Sequence, residues 1–198
     1  MIRSTAISLA KFWSSNGIID KSEAEIYQYG LELFISTLIN LIIMVGISAV
    51  LGHPLMIIPY LLGFIPFRLF AGGYHAKNHL LCILQNTVVF LISCLIALNI
   101  IITIAITSSA IESCISFAII LVYAPVPAKN KPLSIEEKKR NQTISLALAG
   151  TFLVVSIALY YANLLGNTFC NMLFCGQLMA TVLLLVGKSV ESIGFLHY

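Results

Sequence analysis

Six long apolar stretches constrain the fold of this chain more than any other feature of its sequence. A helix of about 20 predominantly apolar residues, rising about 1.5 Å per residue, can cross the hydrocarbon layer of a bilayer. Only 10% of the 198 residues are charged, against roughly 25% in a soluble domain. We therefore predict a single all-α integral membrane domain over residues 1–198, with about six transmembrane or partly re-entrant helices. The stretches lie at about 31–51, 55–70, 80–106, 111–126, 142–162 and 169–187, with a turn expected at 107–109.

The first 21 residues predict an amphipathic helix that lies on the membrane surface, because apolar and polar side chains are interspersed there. A secretory signal peptide is not expected, since Lys11 interrupts the apolar part and no cleavage site of small residues follows it. The apolar side chains are Ile7, Leu9, Phe12 and Trp13, and the polar ones are Arg3, Ser8 and Lys11.

The basic residues predict an orientation in the membrane. Cytoplasmic loops carry an excess of Lys and Arg. With six spans, all 11 basic residues fall on one side, which receives both termini, the 67–79 stretch and the polar loop 127–141. The opposite turns near 52–54, 107–110 and 163–168 hold none. We expect both termini and the basic loop to face the cytoplasm.

Polar and reactive side chains crowd into the stretch FRLFAGGYHAKNHLLCILQN, residues 67–86, between two apolar segments. Such groups are costly beside a bilayer unless structure or chemistry retains them. We interpret His75 and Cys82 as a general base and a nucleophile. A cysteine attacks only as its thiolate, which is a few per cent of the thiol at neutral pH when the pKa is near its usual value of about 8.5. A neighbouring imidazole can raise that share by taking the proton.

Two local features favour this pairing. Asn78 is a suitable N-cap for the helix that follows, so Cys82 is expected near a helix N-terminus, where the dipole favours an anion. On one straight helix, the backbones of His75 and Cys82 would be about 10.5 Å apart, too far for a direct hydrogen bond. Gly72 and Gly73 permit unusual backbone angles, so they would let His75 fold back towards the helix start.

Other interpretations of the same residues stay open at this point. His75 and Cys82 can be packing residues of an ordinary membrane protein. His75, His79 and Cys82 have spacing that suits a metal site, but no fourth ligand is evident, and we predict neither a metal nor a cofactor. The remaining cysteines are expected to be buried as small hydrophobic side chains outside any disulfide framework; they are Cys94, Cys114, Cys170 and Cys175.

Several residues around the pair are candidates to support it. Arg68 can clamp a substrate carboxylate bidentately, or extend to lipid phosphate. Glu32 is an acid near the inner interface that needs a partner such as Arg68. Backbone N–H groups at the start of the Cys82 helix are the natural oxyanion donors. Glu32, Gln85 and Asn86 are candidates to orient His75.

Three separated motifs resemble the accessory gene regulator B (AgrB) family, bacterial membrane cysteine endopeptidases that process the precursor of a quorum-sensing peptide. The order of segments and the position of the polar loop agree as well, so the resemblance covers nearly the whole chain. The matching residues are Arg68, Gly72-Gly73-Tyr74-His75-Ala76 and Cys82, then Tyr123-Ala124-Pro125-Val126, and finally Lys131-Pro132 with Lys138-Lys139-Arg140.

The resemblance implies that Cys82 cleaves the C-terminal part from a precursor through a thioester acyl-enzyme, with His75 as base. An internal cysteine or serine of the precursor then closes a thiolactone or lactone ring. The implied partner is an AgrD-like precursor with an amphipathic helix and an acidic C-terminal tail, which the loop residues Lys129 and Lys131 complement in charge.

The resemblance further implies a location in the bacterial cell membrane, and the distribution of basic residues predicts that the His75/Cys82 site faces the cytoplasm. A homodimer is compatible with so small a protein, although no motif specifies one, and nucleic acid is not an expected partner. The competing hypothesis is a small peptide exporter without covalent catalysis, although the paired charges and broken helices of transporters are not evident.

Overall fold

A computed structural model describes residues 2–74, 76, 78–99, 102–127, 133–162 and 168–195. Within these ranges the protein is all-helical, with seven α-helices, a short 3-10 turn at Lys21–Glu23 and no strand. The helices are α1 (Ile2–Ser15), α2 (Ala24–Val50), α3 (Ile57–Phe70), α4 (His79–Asn99), α5 (Ile102–Tyr123), α6 (Ile135–Tyr161) and α7 (Thr168–Phe195).

Four segments in the described ranges are long and apolar enough to cross a membrane, and they belong to α2, α4, α6 and α7. Two further apolar helical segments are Ile57–Phe70, which is all of α3, and Ala110–Tyr123, which is the C-terminal part of α5. They correspond to the second and fourth apolar stretches. The prediction of an all-helical fold is therefore confirmed within the described residues, and four helices have the length and composition that a membrane span requires. The number of six spans and the interfacial position of α1 stay predictions.

The turn expected at 107–109 is wrong, because α5 runs without interruption from Ile102 through these residues. α4 ends at Asn99 and α5 begins at Ile102, and residues 100–101 lie outside the described ranges. Short runs of Ser and Thr are weak helix breakers, since their hydroxyls can bond to the helix's own backbone. No Gly or Pro occurs between residues 80 and 123 to force a turn.

The contacts within the chain define two compact units. Unit 1 comprises Met1–Ile47 with Ala76–Val88, and unit 2 comprises Ser48–His75 with Val89–Tyr198. In unit 1 the indole of Trp13 on α1 packs edge-on against the ring of Tyr27 on α2, with 6.4 Å between ring centroids. Unit 1 thus holds α1, most of α2 and the first half of α4, including Cys82.

In unit 2, α3 and α7 pack backbone to backbone through two glycines. A Cβ atom on Gly63 of α3 would overlap the carbonyl oxygen of Leu173 on α7, and one on Gly176 of α7 would overlap the carbonyl oxygen of Tyr60 on α3. Small residues at helix contacts allow this close approach within membranes. The Tyr60 ring beside the contact stacks on Phe64 at 5.3 Å.

α5 and α7 meet through a polar network that the sequence analysis did not single out. Ser116 Oγ donates to Glu112 Oε1 at 2.7 Å, and Thr181 Oγ1 donates to Ser116 Oγ at 3.2 Å. Ser113 Oγ lies 3.5 Å from Gln177 Oε1 in the same contact. Ser116 therefore gives one oxygen of the Glu112 carboxyl group a partner, and Thr181 links this pair to α7.

We expect Gly63→Ala to destabilise the protein by roughly 1–3 kcal/mol, because the added methyl forces α3 away from α7. Thermal unfolding in detergent, followed by intrinsic fluorescence, measures the effect. Gly46→Ala is the matched control, since a Cβ at Gly46 meets no atom within 4 Å and alanine favours a helix. Equal midpoint temperatures of unfolding for the two variants would show that α3 and α7 are not in close contact at Gly63.

Candidate functional site

Cys82 lies in the first turn of α4, directly after a capped helix start. Asn78 Oδ1 accepts a hydrogen bond from the Leu81 N–H at 2.8 Å, which is the bond that an N-cap residue makes. The Cys82 N–H donates to the Asn78 carbonyl oxygen at 3.0 Å. The predicted cap is confirmed. Cys82 is half-buried, and the positive end of the helix dipole at this position favours its thiolate over its thiol.

Asn86 follows Cys82 by one helical turn and directs its amide at the sulfur. Asn86 Nδ2 donates to Cys82 Sγ over 3.8 Å. A hydrogen bond to an ionised acceptor is shorter and stronger than one to a neutral acceptor, so this contact favours the thiolate. The structure thus gives Asn86 a contact with the Cys82 thiol, where the sequence had suggested a partner for His75.

Gln85 contributes no comparable contact to the thiol. Its side-chain Oε1 is buried and has no hydrogen-bond partner among the described residues. Its suggested role in orienting His75 stays a prediction.

Glu32 and His79 join α2 to the first residue of α4 within unit 1. His79 Nε2 lies 3.0 Å from Glu32 Oε2, and Gln28 Nε2 donates to Glu32 Oε1 at 2.9 Å. The side chains of His79 and Glu32 are 28% and 11% exposed, so the pair is largely shielded from solvent. Both carboxylate oxygens of Glu32 therefore have partners, and the sequence had suggested neither of them.

In unit 2, the segment that leads to His75 is a glycine turn held against the Tyr123–Val126 motif. Gly72 and Gly73 have φ angles of +77° and +122°, in the region that side chains rarely adopt. The Val126 N–H donates to the Ala71 carbonyl oxygen at 2.9 Å, and the Gly73 N–H donates to the Val126 carbonyl oxygen at 3.3 Å. A Cβ on Gly72 would overlap the Val126 carbonyl. The backbone conformation of this turn therefore favours glycine at both positions, and the contact with Val126 requires it at Gly72.

Arg68 and α7 hold the same turn from other sides. The Arg68 guanidinium donates from Nη1 to the Gly72 carbonyl oxygen at 2.9 Å and from Nη2 to the Tyr74 carbonyl oxygen at 2.8 Å. The Tyr74 N–H donates to the Leu183 carbonyl oxygen on α7 at 2.7 Å. Gly187 makes room for this contact, because a Cβ there would lie 2.6 Å from the Tyr74 nitrogen. Arg68 thus braces the turn that precedes His75.

Three predicted site residues, His75, Lys129 and Lys131, lie outside the described residues. The alternative of a metal site that includes His75 is untested for the same reason. Of the other cysteines, Cys94, Cys170 and Cys175 are buried as predicted, whereas Cys114 is exposed on the surface of α5.

The sequence of the chain matches one protein family over most of its length. The family model described as Accessory gene regulator B matches residues 6–184. The chain belongs to the accessory gene regulator B family. The family resemblance drawn from the three motifs is confirmed.

Curated relatives of this AgrB-family chain include proteins of Clostridium and Staphylococcus. An AgrB-like protein of Clostridium perfringens (strain 13 / Type A) is 29% identical over 170 residues, covering 81% of this chain and 79% of the relative. The accessory gene regulator protein B of Staphylococcus saprophyticus is 26% identical over 155 residues, covering 77% and 79%. That of Staphylococcus aureus strain RF122 is 24% identical over 131 residues, covering 66% and 69%. No solved structure matches the chain.

Two of the AgrB motifs come together in unit 2 although about fifty residues separate them. Val126 of the second motif bonds to the backbone of the glycine turn in the first, and Arg68 braces that turn. The contributions of Leu183 and Gly187 were missed, because a backbone carbonyl and a helical glycine carry no signal in a sequence. The Glu32–His79 pair was missed because its partners lie 47 residues apart.

Proposed function

We propose that this AgrB-family protein is a membrane cysteine endopeptidase of a quorum-sensing system, with Cys82 as its nucleophile and His75 as its base. The observation that carries the proposal is the setting of Cys82, a half-buried thiol in a capped first helical turn with an amide donor at its sulfur. The helix dipole and the Asn86 amide both favour the thiolate. Relatives named accessory gene regulator protein B support a role in that regulatory system.

In the first chemical step, the Cys82 thiolate attacks the carbonyl carbon of a peptide bond in an AgrD-like precursor. A thioester forms, the C–N bond breaks, and the C-terminal fragment leaves as an amine after taking a proton from the His75 imidazolium. A thioester is higher in free energy than the amide that it replaces. Removal of the fragment or of the final product must therefore draw the reaction forward.

In the second step, an internal cysteine or serine of the precursor attacks the thioester carbonyl and displaces the Cys82 sulfur. The product is a thiolactone or lactone ring, and the proton that the internal thiol or hydroxyl loses passes to the His75–Cys82 pair, which restores the free enzyme. Exchange of one thioester for another needs little driving force, so this step mainly requires that water be excluded until the internal nucleophile arrives.

The basic residues of the chain support both the choice of an acidic precursor and the orientation of the protein in the membrane. We place the site on the cytoplasmic side of the cell membrane, where Lys129 and Lys131 face an acidic precursor tail and the precursor's amphipathic helix lies on the bilayer. Lys138, Lys139 and Arg140 at the start of α6 are exposed and extend the basic surface.

The glycine turn before His75 supports a positioning role for Arg68. We expect Arg68→Lys to lower kcat for precursor cleavage by about 10- to 100-fold and to leave KM within about threefold. Lysine carries the charge on a single nitrogen and cannot span two carbonyl oxygens as the guanidinium fork does. The exposed Arg3→Lys variant is the control and should match the wild type. A large rise in KM with kcat unchanged would instead indicate that Arg68 binds substrate.

Co-expression with a gene for an AgrD-like precursor tests the proposed function. Mass spectrometry of membranes and medium should detect the released C-terminal fragment and a cyclic peptide with the wild type, and neither product with His75→Ala. A peptide exporter would transport a precursor without cutting it. Full cleavage by His75→Ala would remove His75 from the mechanism.

A further inference from the structure

The polar contacts of unit 1 form a connected series that ends at the Cys82 thiol. Gln28 donates to Glu32, and Glu32 meets His79 at the first position of α4. Side chains three or four residues apart on a helix are neighbours on one face. His79, Cys82 and Asn86 follow each other at these spacings, and the Asn86 amide already reaches the Cys82 sulfur. One end of this polar face of α4 is therefore fastened to α2.

The contact between Glu32 and His79 is more than an exposed surface ion pair. Glu32 is only 8% exposed, and its two oxygens are bonded to two different side chains, so the carboxylate has a fixed direction. A largely buried carboxylate loses much of its hydration and is stable only with such partners. Gln28 and Glu32 lie one turn apart on α2, so α2 presents them together to the start of α4.

We propose that Glu32 and His79 form a latch that positions Cys82 for attack on the precursor. The proposal rests on the proposed peptidase function. The Asn78 cap fixes where α4 starts along the chain, and the latch fixes the direction in which that first turn presents its side chains. Cys82 is one turn from His79, so rotation or fraying of that turn displaces the sulfur directly. His79 and Glu32 are positioning residues, and the nucleophile remains Cys82.

The latch has a specific kinetic signature. Misplacement of a reacting atom by about 1 Å can slow a reaction by about 100-fold even when substrate binds normally. We expect Glu32→Ala and His79→Ala each to lower kcat for precursor cleavage by about 10- to 100-fold, with KM within about threefold of the wild type. The double alanine variant should be no slower than the slower single variant, because both substitutions remove the same contact.

A conservative variant separates positioning from general destabilisation. Glu32→Gln replaces the carboxylate by an amide whose oxygen can still accept a hydrogen bond from His79. The rate of cleavage by this variant should therefore lie within about threefold of the wild-type rate. Alkylation of Cys82 by iodoacetamide needs no bound precursor. The rate of this alkylation should change by less than about threefold in every latch variant. An unchanged rate also shows that unit 1 is folded. Glu25→Ala, on the exposed side of α2, is the matched control and should cleave normally.

The experiment measures precursor cleavage in purified membranes for the wild type, the Cys82→Ser variant and the latch variants. Cys82-dependent cleavage that is slowed in both alanine variants and restored in Glu32→Gln supports the latch. Cys82-dependent cleavage at wild-type rates in both alanine variants overturns the latch and leaves the proposed function intact. A double variant whose loss of rate equals the product of the two single losses also overturns the latch, because the two residues then act independently. Cleavage that does not require Cys82 overturns the proposed function and the latch together.

Discussion

Cys82→Ser should abolish precursor cleavage, with a loss of at least about 1,000-fold in rate, while the protein still inserts into the membrane. A serine hydroxyl ionises far less readily than a thiol, so the helix dipole and the Asn86 amide cannot generate a useful nucleophile from it. Serine has the shape of cysteine with a smaller oxygen in place of sulfur, so the half-buried position stays nearly filled and the Asn78 cap of α4 is undisturbed. The measurement is the yield of C-terminal fragment per unit of membrane-bound enzyme.

Cys114→Ser is the matched control for this substitution. Cys114 is exposed on α5 in unit 2, and no hydrogen bond described for the site involves it. Its replacement should leave cleavage within about twofold of the wild type, since isolated surface substitutions have small effects. Wild-type cleavage by Cys82→Ser would remove the thiol from the mechanism.

Gly72→Ala should reduce cleavage by about 100-fold or more, because alanine cannot take the place of Gly72 in the turn before His75. Two separate penalties apply at this position. The φ angle of +77° disfavours any side chain, and the added Cβ would overlap the Val126 carbonyl oxygen. The turn must therefore leave Val126, and Tyr74, the last described residue before His75, loses its contacts with Arg68 and α7.

Gly52→Ala separates the two penalties at Gly72. Gly52 has the same φ angle of +77°, but a Cβ there meets no atom within 4 Å. This variant should lose roughly 1–2 kcal/mol of stability from backbone strain and keep its activity. Equal losses of activity in the two variants would show that strain alone, rather than contact with Val126, governs the turn. Iodoacetamide labelling of Cys82 should be unchanged in both.

Local features of the sequence were sufficient to predict much of the fold. The apolar stretches predicted helices because the length of an apolar run sets the length of a membrane helix. Asn78 was recognised as a cap because its side chain acts on a residue only three positions away. The glycine pair was expected to bend the chain, and the positive φ angles of Gly72 and Gly73 confirm a special backbone there.

Contacts between distant segments could not be predicted in the same way. Arg68 was a candidate to hold a substrate carboxylate, to support the site or to reach lipid phosphate. Its two bonds to backbone carbonyls could not be foreseen, because no sequence pattern displays the shape of the turn that it contacts. The pairing of Glu32 with His79 depends on how α2 packs against α4. The boundary between α4 and α5 was misplaced because Ser and Thr at 107–109 suggested a turn that α5 does not make.

The most direct test is a search for the acyl-enzyme on Cys82. A precursor whose ring-closing cysteine is replaced by alanine cannot displace the thioester, so the intermediate should accumulate. Intact mass spectrometry should then show the enzyme heavier by the N-terminal part of the precursor. Digestion should place the adduct on the peptide that contains Cys82, and hydroxylamine should release it. Release of the C-terminal fragment with no adduct on Cys82 under these conditions would contradict covalent catalysis by this thiol.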